Sequence, residues 1–381
     1  EGDVLVAWVT NTGDVRWRLR RDAAWAAEAS LGTDFGLLGA FSINCASVAA
    51  GWVLAWGQEV AIGHRGRFVM LDGESLVSKT AALLSSSETD EENEPDVGIL
   101  PNGDVLFVFT TVLDGDSTGI GMRRVSAAGT PLSETVIVNQ GTSGAQSHPS
   151  IAVSASRIFV TWQSKLGGDK ISLKRRLFDS STLAAATDEV TYASSTDVDY
   201  SAPSAAQRLD GQGAERFLVV YEALGATAGG EEAVGVYWSE FDSDGQETVD
   251  GAPLATDKAR DQIEARATAL ANADLVTWRS DHAQANTFDL VLARFDAVGI
   301  QSNAVLASDV QAVATPSRVW PGALEIPVIR AGRVALIRHG LLCDEGLYDC
   351  SSLNPRICGD AVDYLPLLGA CDAPACQAVC D

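Results

Sequence analysis

Seven short apolar runs recur along the chain. Each is entered from a Gly, Asp or Arg and ends on an aromatic or long side chain. They close at Trp8 (DVLVAW), Trp56 (WVLAW), Phe109 (DVLFVF), Trp162 (RIFVTW), Tyr221 (RFLVVY), Trp278 (DLVTW) and Arg338 (RVALIR), at intervals of 48, 53, 53, 59, 57 and 60 residues. Runs this short, continuously apolar and rich in Val, Ile, Phe and Trp predict strands buried on both faces. A shorter strand precedes most of them, often opening at a proline such as Pro149, Pro203 or Pro327. A polar loop and an alternating strand follow, as in 119–129, 171–181, 234–245 and 290–299, and then a weaker fourth strand such as 134–139. No segment carries a sustained helical period with caps.

Four strands and a jump to the next unit is the pattern of a propeller blade. The chain therefore predicts an all-β protein: a β-propeller of about seven four-stranded blades over residues 1–340, with six blades plus an odd strand as the alternative. Unit 1 lacks a first strand and unit 7 lacks its last two. The aromatic-ended strands are expected second from the centre, with the proline-opened strands innermost, where Ala152, Ala205 and Ala267 fit the taper. The alternating strands are expected third, one face partly wet at Arg123, Arg175 and Arg294. The stretch 326–338 is expected beside the N-terminal blade.

The turn after the third strand has its own signature, clearest in Phe241-Asp242-Ser-Asp-Gly245 and Phe295-Asp296-Ala-Val-Gly299. An Asp side chain can bond its own downstream backbone and Gly supplies positive φ, so these aspartates read as turn formers and not as catalysts. The stretch 119–162, GIGMRRVSAAGTPLSETVIVNQGTSGAQSHPSIAVSASRIFVTW, resembles repeats of large secreted bacterial surface proteins, with their R-x-F-D-x-x-G turn, P-x-I-A strand and V-V-x-W strand. The resemblance implies export and a propeller, and a role as an adhesive, scaffold or carbohydrate-facing module.

Residues 341–381 form a separate piece, poor in large apolar side chains. Six of the seven cysteines lie there: Cys343, Cys350, Cys358, Cys371, Cys376 and Cys380. An even cluster in so small a segment reads as a disulfide-stapled tail in an oxidising compartment. It is similar to Cys-rich C-terminal segments of myxobacterial-type surface proteins. The seventh, Cys45, reads as a buried free thiol in a strand. The chain opens at Glu1 almost inside a strand, from which we expect that an upstream export signal has been removed.

The formal net charge of −24 argues against nucleic acid and anionic membranes as partners, and no apolar run approaches the length of a membrane span. Asp114-Gly-Asp116-Ser-Thr-Gly119 alternates oxygen ligands as in the front half of a calcium loop, which makes Asp114 and Asp116 candidate calcium ligands. Calcium is the one cofactor the sequence suggests. The four histidines fall in different units without triad spacing, and read as surface residues. Among 51 acidic residues no carboxylate pair stands out. Five tryptophans lie outside the core strands, and an exposed one would suit stacking on a sugar. The sequence thus points to a secreted or cell-surface bacterial module without enzymatic activity, built for adhesion, assembly or binding of a protein or glycan. A carbohydrate-active protein, lectin or glycosidase, is the alternative.

Overall fold

The computed structural model describes residues 4–340, apart from short stretches between strands, and residues 362–364. The longest of those stretches are 32–38, 74–81, 85–90, 226–233, 255–260 and 282–287.

The strands form six sheets, each a blade of a β-propeller. Blade 1 holds β1 (Val4–Val9), β2 (Val15–Arg21), β3 (Ala24–Trp25) and β4 (Ala29–Ser30). Blade 2 runs β5 (Gly39–Val48), β6 (Gly51–Glu59), β7 (His64–Asp72) and β8 (Ala82–Leu83). Blade 3 runs β9 (Glu92–Ile99), β10 (Val105–Thr111), β11 (Gly119–Val125) and β12 (Val136–Ile137). Blade 4 runs β13 (Ala145–Val153), β14 (Arg157–Lys165), β15 (Ser172–Asp179) and β16 (Val190–Ala193). Blade 5 runs β17 (Asp199–Leu209), β18 (Glu215–Leu224), β19 (Val234–Asp242) and β20 (Glu247–Pro253). Blade 6 starts with β21 (Gln262–Ala269), β22 (Asp274–Asp281), β23 (Phe288–Asp296) and β24 (Gly299–Val313). It is extended by β25 (Ser317–Trp320), β26 (Ala323–Arg330), β27 (Arg333–Gly340) and β28 (Val362–Tyr364). All pairings between these strands are antiparallel.

The second strands show why the sequence runs are continuously apolar. In β10 all seven residues are buried. Val105, Phe107 and Phe109 pack on blade 2, and the intervening Leu106 and Val108 pack on blade 4. Alternate side chains thus enter opposite cores from Val105 to Phe109, and polar residues appear only beyond that run, at Thr110 and Thr111. The terminal aromatic always faces the preceding blade: Trp56 toward blade 1, Trp162 toward blade 3, Tyr221 toward blade 4 and Trp278 toward blade 5. Glycine permits the close approach between sheets, since a Cβ on Gly98 would meet Val153 of the next blade at 2.6 Å.

The turn signature behaves as read. Asp242 Oδ1 accepts from the Asp244 and Gln246 amides, and Gly245 sits at φ 79°. Asp179 Oδ1 accepts from the amides and hydroxyls of Ser181 and Thr182, and these bonds, the Ser181 hydroxyl foremost, draw its carboxyl well below the ordinary range.

Four expectations need correction. Six blades form, not seven, because the last aromatic-type run, β27, does not build a blade of its own. It pairs with β26, which joins the far end of β24. That strand is 15 residues long and outruns β23, so its bare edge recruits β26 into the sixth sheet instead of the first. The third-strand arginines Arg123 and Arg175 are buried, not wet. Arg123 donates to Ser133 O and to Leu84 O of blade 2, and Arg176 likewise to Thr187 O and to Val138 O of blade 3. The innermost strands begin before their prolines. Finally, Cys45 is exposed. Blade 1 begins with β1, the equivalent of a second strand, and leaves open the face of β5 that carries Cys45 and Ser47.

Candidate functional site

The innermost strands share an irregularity that positions a cluster of polar groups. Each of β5, β9, β13, β17 and β21 slips register against its second strand at one place, a β-bulge. At that place a non-glycine residue takes positive φ: Ser42 (50°), Glu94 (51°), His148 (50°), Ala202 (48°) and Glu264 (56°). Left-handed backbone costs a non-glycine residue about 1–2 kcal/mol, so recurrence in five blades marks a geometry the ring requires. In three blades the next residue is proline, Pro95, Pro149 or Pro203. An unpaired bulge residue without an N–H leaves no donor unsatisfied.

Two residues past each bulge start, a polar side chain ties its blade to the next. Asn44 donates to Pro95 O at 2.7 Å. Asp96 Oδ2 accepts from Ser150 Oγ and the Ile151 amide, both at 3.0 Å. Ser150 Oγ accepts from the Ala205 amide at 3.1 Å, and Ser204 Oγ from the Ala267 amide at 3.2 Å. The girdle ends at Arg266, the equivalent position of blade 6.

At the level of the bulges the second strands finish and the innermost strands begin, so their side chains gather at one mouth of the ring. Glu94 Oε2 accepts from Thr110 Oγ1 at 3.0 Å and from the His148 amide of the next blade at 2.8 Å. Its Oε1 lies 3.0 Å from His148 Nε2. His148 Nδ1 lies 3.2 Å from Ser147 Oγ. Two blades on, the same capture of a bulge amide recurs with another glutamate. Glu222, which directly follows the terminal aromatic of β18, accepts the Glu264 amide at 2.6 Å. Ser201 Oγ stands 3.5 Å from its other oxygen. Glu264 in turn receives Arg279 Nη2 at 2.5 Å.

The electrostatics separate these carboxylates. Burial pushes Glu222 above the ordinary carboxylate range, and the charge of Glu264 pushes the same way against the Glu264 amide and Arg266. Asp96 is also raised by burial, against the bonds from Ile151, Val97 and Ser150. Glu264 is ion-paired with Arg279. The site therefore sets Glu222, raised by burial, against the backbone of Glu264, whose side chain is ion-paired with Arg279, and two carboxyl groups in unlike surroundings are what acid–base chemistry draws on.

The residues singled out from sequence lie elsewhere. Asp114 Oδ2 accepts from Asn139 Nδ2 at 3.1 Å, and Asn139 Oδ1 caps the Ile120 amide. Asp116 falls outside the described residues, as do Cys343, Cys350, Cys358, Cys371, Cys376 and Cys380. Among the described residues no group of three or more His, Cys, Asp or Glu side chains is placed to hold a metal ion. His148, read as an ordinary surface histidine, is half-exposed but pairs with Glu94 at the mouth. Glu94, Glu222 and Glu264 were missed. The one signal available was columnar: each is a polar residue at a fixed offset from the aromatic end of β18 or from the repeated proline position.

No family model matches the chain, and no curated protein matches it. Solved structures do. The GH93 α-L-arabinofuranosidase of Fusarium graminearum, in complex with arabinobiose, aligns at 12% identity over 79% of this chain and 93% of its own, with a TM-score of 0.51. A protein of unknown function from Dyadobacter fermentans aligns at 12% identity over 88% and 96%, with a TM-score of 0.45. The catalytic domain of the Coprinopsis cinerea GH62 α-L-arabinofuranosidase aligns at 9% identity over 65% and 86%, with a TM-score of 0.41. At such identities the likeness is one of fold. The expectation of a non-enzymatic adhesion or assembly module is nonetheless corrected. The structure aligned at a TM-score of 0.51 is described as an α-L-arabinofuranosidase, and the mouth brings together Glu222 and Glu264, a pair of acids that the sequence reading had not found. Of the two readings, the carbohydrate-active one is the better backed.

Proposed function

We propose that this propeller is a carbohydrate-active enzyme that cleaves a glycosidic bond at the mouth of the ring. The observation that carries the reading is the placement of Glu222, buried and raised in proton affinity by that burial, against the Glu264 amide, with the Glu264 side chain ion-paired to Arg279. In this scheme the Glu222 carboxyl gives its proton to the glycosidic oxygen as the bond from that oxygen to the anomeric carbon breaks. Water adds to the anomeric carbon and yields a proton to Glu264. The products are a sugar with a free anomeric hydroxyl and the departing alcohol. Proton exchange with solvent then restores both carboxyls. Ser201 and the Glu264 amide hold Glu222 in place.

The partner is accordingly a glycan, and the same reading places the enzyme outside the cell. None of the described elements is a helix long and apolar enough to cross a membrane. Outside the cell, Cys343, Cys350, Cys358, Cys371, Cys376 and Cys380 form three disulfides within the tail.

The test is hydrolysis of a panel of polysaccharides and aryl glycosides, arabinan and arabinofuranosides included, by the protein and its Glu222→Gln and Glu264→Gln variants. The expected result is release of sugar by the unaltered protein, reduced by about 10²–10⁴-fold in each variant. Equal release by protein and variants, or none on any substrate, would overturn the assignment.

A further inference from the structure

In a regular strand the side chains of neighbouring residues point to opposite faces and do not meet. The bulge of β13 breaks that rule. His148 takes φ 50° there, and its Nδ1 stands 3.2 Å from the Oγ of Ser147, the residue before it. The ring is held at its other end as well. Nε2 lies 3.0 Å from Glu94 Oε1 in blade 3, and Glu94 Oε2 accepts the His148 amide at 2.8 Å. One side chain thus fixes both the ring and the backbone that carries it. Ser147 is paired across the ladder with Gln163, which directly follows the terminal aromatic Trp162 of β14. Gln163 is buried, and its Oε1 lies 3.4 Å from Ser147 Oγ. Of the five bulge residues, Ser42, Glu94, His148, Ala202 and Glu264, only His148 is of a type that takes and gives a proton near neutral pH. Its side chain is 52% exposed, so the group is open to a ligand from the mouth.

A serine hydroxyl, an imidazole and a carboxyl group in one hydrogen-bonded line are the parts of nucleophilic acyl transfer, and they are recognised by geometry, not by spacing in the sequence. We propose that Ser147, His148 and Glu94 form a second hydrolytic site at the mouth, an esterase site that removes acyl groups from the hydroxyls of a glycan. The choice of a sugar ester rests on the glycan-cleaving reading; the ester chemistry does not. With its proton on Nε2, facing Glu94, the imidazole presents the lone pair of Nδ1 to the Ser147 hydroxyl. Ser147 Oγ adds to the acyl carbon as its proton passes to Nδ1. The bond from that carbon to the sugar oxygen breaks, and the oxygen takes the proton from Nδ1. Water then adds to the acyl-serine through the same nitrogen, which frees a carboxylic acid and returns the proton to Oγ. Glu94 is the positioning residue: it sets the tautomer and the ring. A half-turn of the Gln163 carboxamide exchanges its oxygen for an N–H, which makes it the donor at hand for the oxyanion of the addition step.

The experiment uses the intact protein with p-nitrophenyl acetate, with O-acetylated xylan and with a fluorophosphonate, which traps an activated serine. The unaltered protein should cleave the aryl ester, release acetate from the xylan and carry the phosphonyl group on Ser147, read by peptide mass mapping. Ser147→Ala should lose the label and slow both cleavages by about 10²–10⁴-fold. Glu94→Gln keeps an oxygen for the His148 amide, and should lower kcat while leaving KM unchanged, a split that a merely structural role does not give. Ester cleavage no faster in the unaltered protein than in Ser147→Ala, or phosphonylation at another residue alone, would overturn the proposal. Cleavage of the aryl ester without release of acetate from the xylan would overturn the sugar ester as substrate. Ser147-dependent ester cleavage in a protein that releases no sugar from any glycan would uphold this site while sinking the glycosidic reading. Sugar release that depends on Glu222, without Ser147-dependent ester cleavage, would do the reverse.

Discussion

A single glutamate shows how burial and function are set against each other. Glu222 is the only position in the second strand of blade 5 where the apolar run gives way to a carboxyl before the strand ends, and it does so directly after Tyr221. Because burial raises its proton affinity in the folded state, the sign of its linkage is the reverse of a salt-bridged acid. Its contribution to stability is present below the unfolded carboxylate pKa and is lost as pH rises through the raised folded value. Glu222→Gln keeps an oxygen for the Glu264 amide and removes the charge. The variant's melting temperature should therefore decline less than that of the unaltered protein between about pH 5 and pH 8, a mild-acid to neutral window around the ordinary carboxylate range and above. Thermal melts at matched ionic strength check this, and parallel curves would show that Glu222 titrates as an ordinary surface acid. Arg123 makes a second case. Its guanidinium is buried and tied to Ser133 O and Leu84 O, so Arg123→Ala strands two buried carbonyls and opens a gap between blades 2 and 3. A loss of about 2–4 kcal/mol in urea titrations is expected.

At the scale of the strand, the bulge of the innermost strands is the feature on which the site depends. Pro149 sits in the middle of β13, not at its start, and supplies the unpaired bulge residue with no N–H to leave orphaned. Pro149→Ala adds that donor at a buried position and frees the unfolded chain, so a destabilisation of about 1–3 kcal/mol is expected by chemical denaturation. No change would mean the added amide finds water. The second strands were legible in the sequence because burial on both faces leaves a continuous apolar run, as in Val105–Phe109. The turn aspartates were legible because Asp242 and Gly245 act within five residues of chain. The bulges were not, since positive φ at Glu94, His148 and Glu264 contradicts the local preference of those residues and is imposed by the ring. The site was hidden for the same reason. Glu94, Glu222 and Glu264 belong to three blades, and only the packing of successive sheets brings them to one mouth.

Over the whole molecule two electrostatic effects oppose each other. The described ion pairs are mostly short-range and partly exposed, such as Arg16 with Asp14 and Glu28, or Lys170 with Asp199. Exposed pairs are worth about 0–1 kcal/mol each and weaken with salt. Against them stands a net charge of −24 on one chain, whose self-repulsion opposes the compact state over distances that salt screens readily. Two pairs within single blades, Arg208 with Glu240 in blade 5 and Arg279 with Glu264 in blade 6, are more deeply placed and less open to that screening. Salt should therefore remove more repulsion than attraction. The melting temperature is expected to rise by a few degrees when sodium chloride is increased from about 0.02 M to about 0.3 M, which shortens the screening length from roughly 20 Å to below 10 Å. Calorimetric scans across that range decide the matter. A fall would mean that the exposed ion pairs outweigh the net charge, and that the acidic surface is already neutralised in pairs rather than left to repel itself.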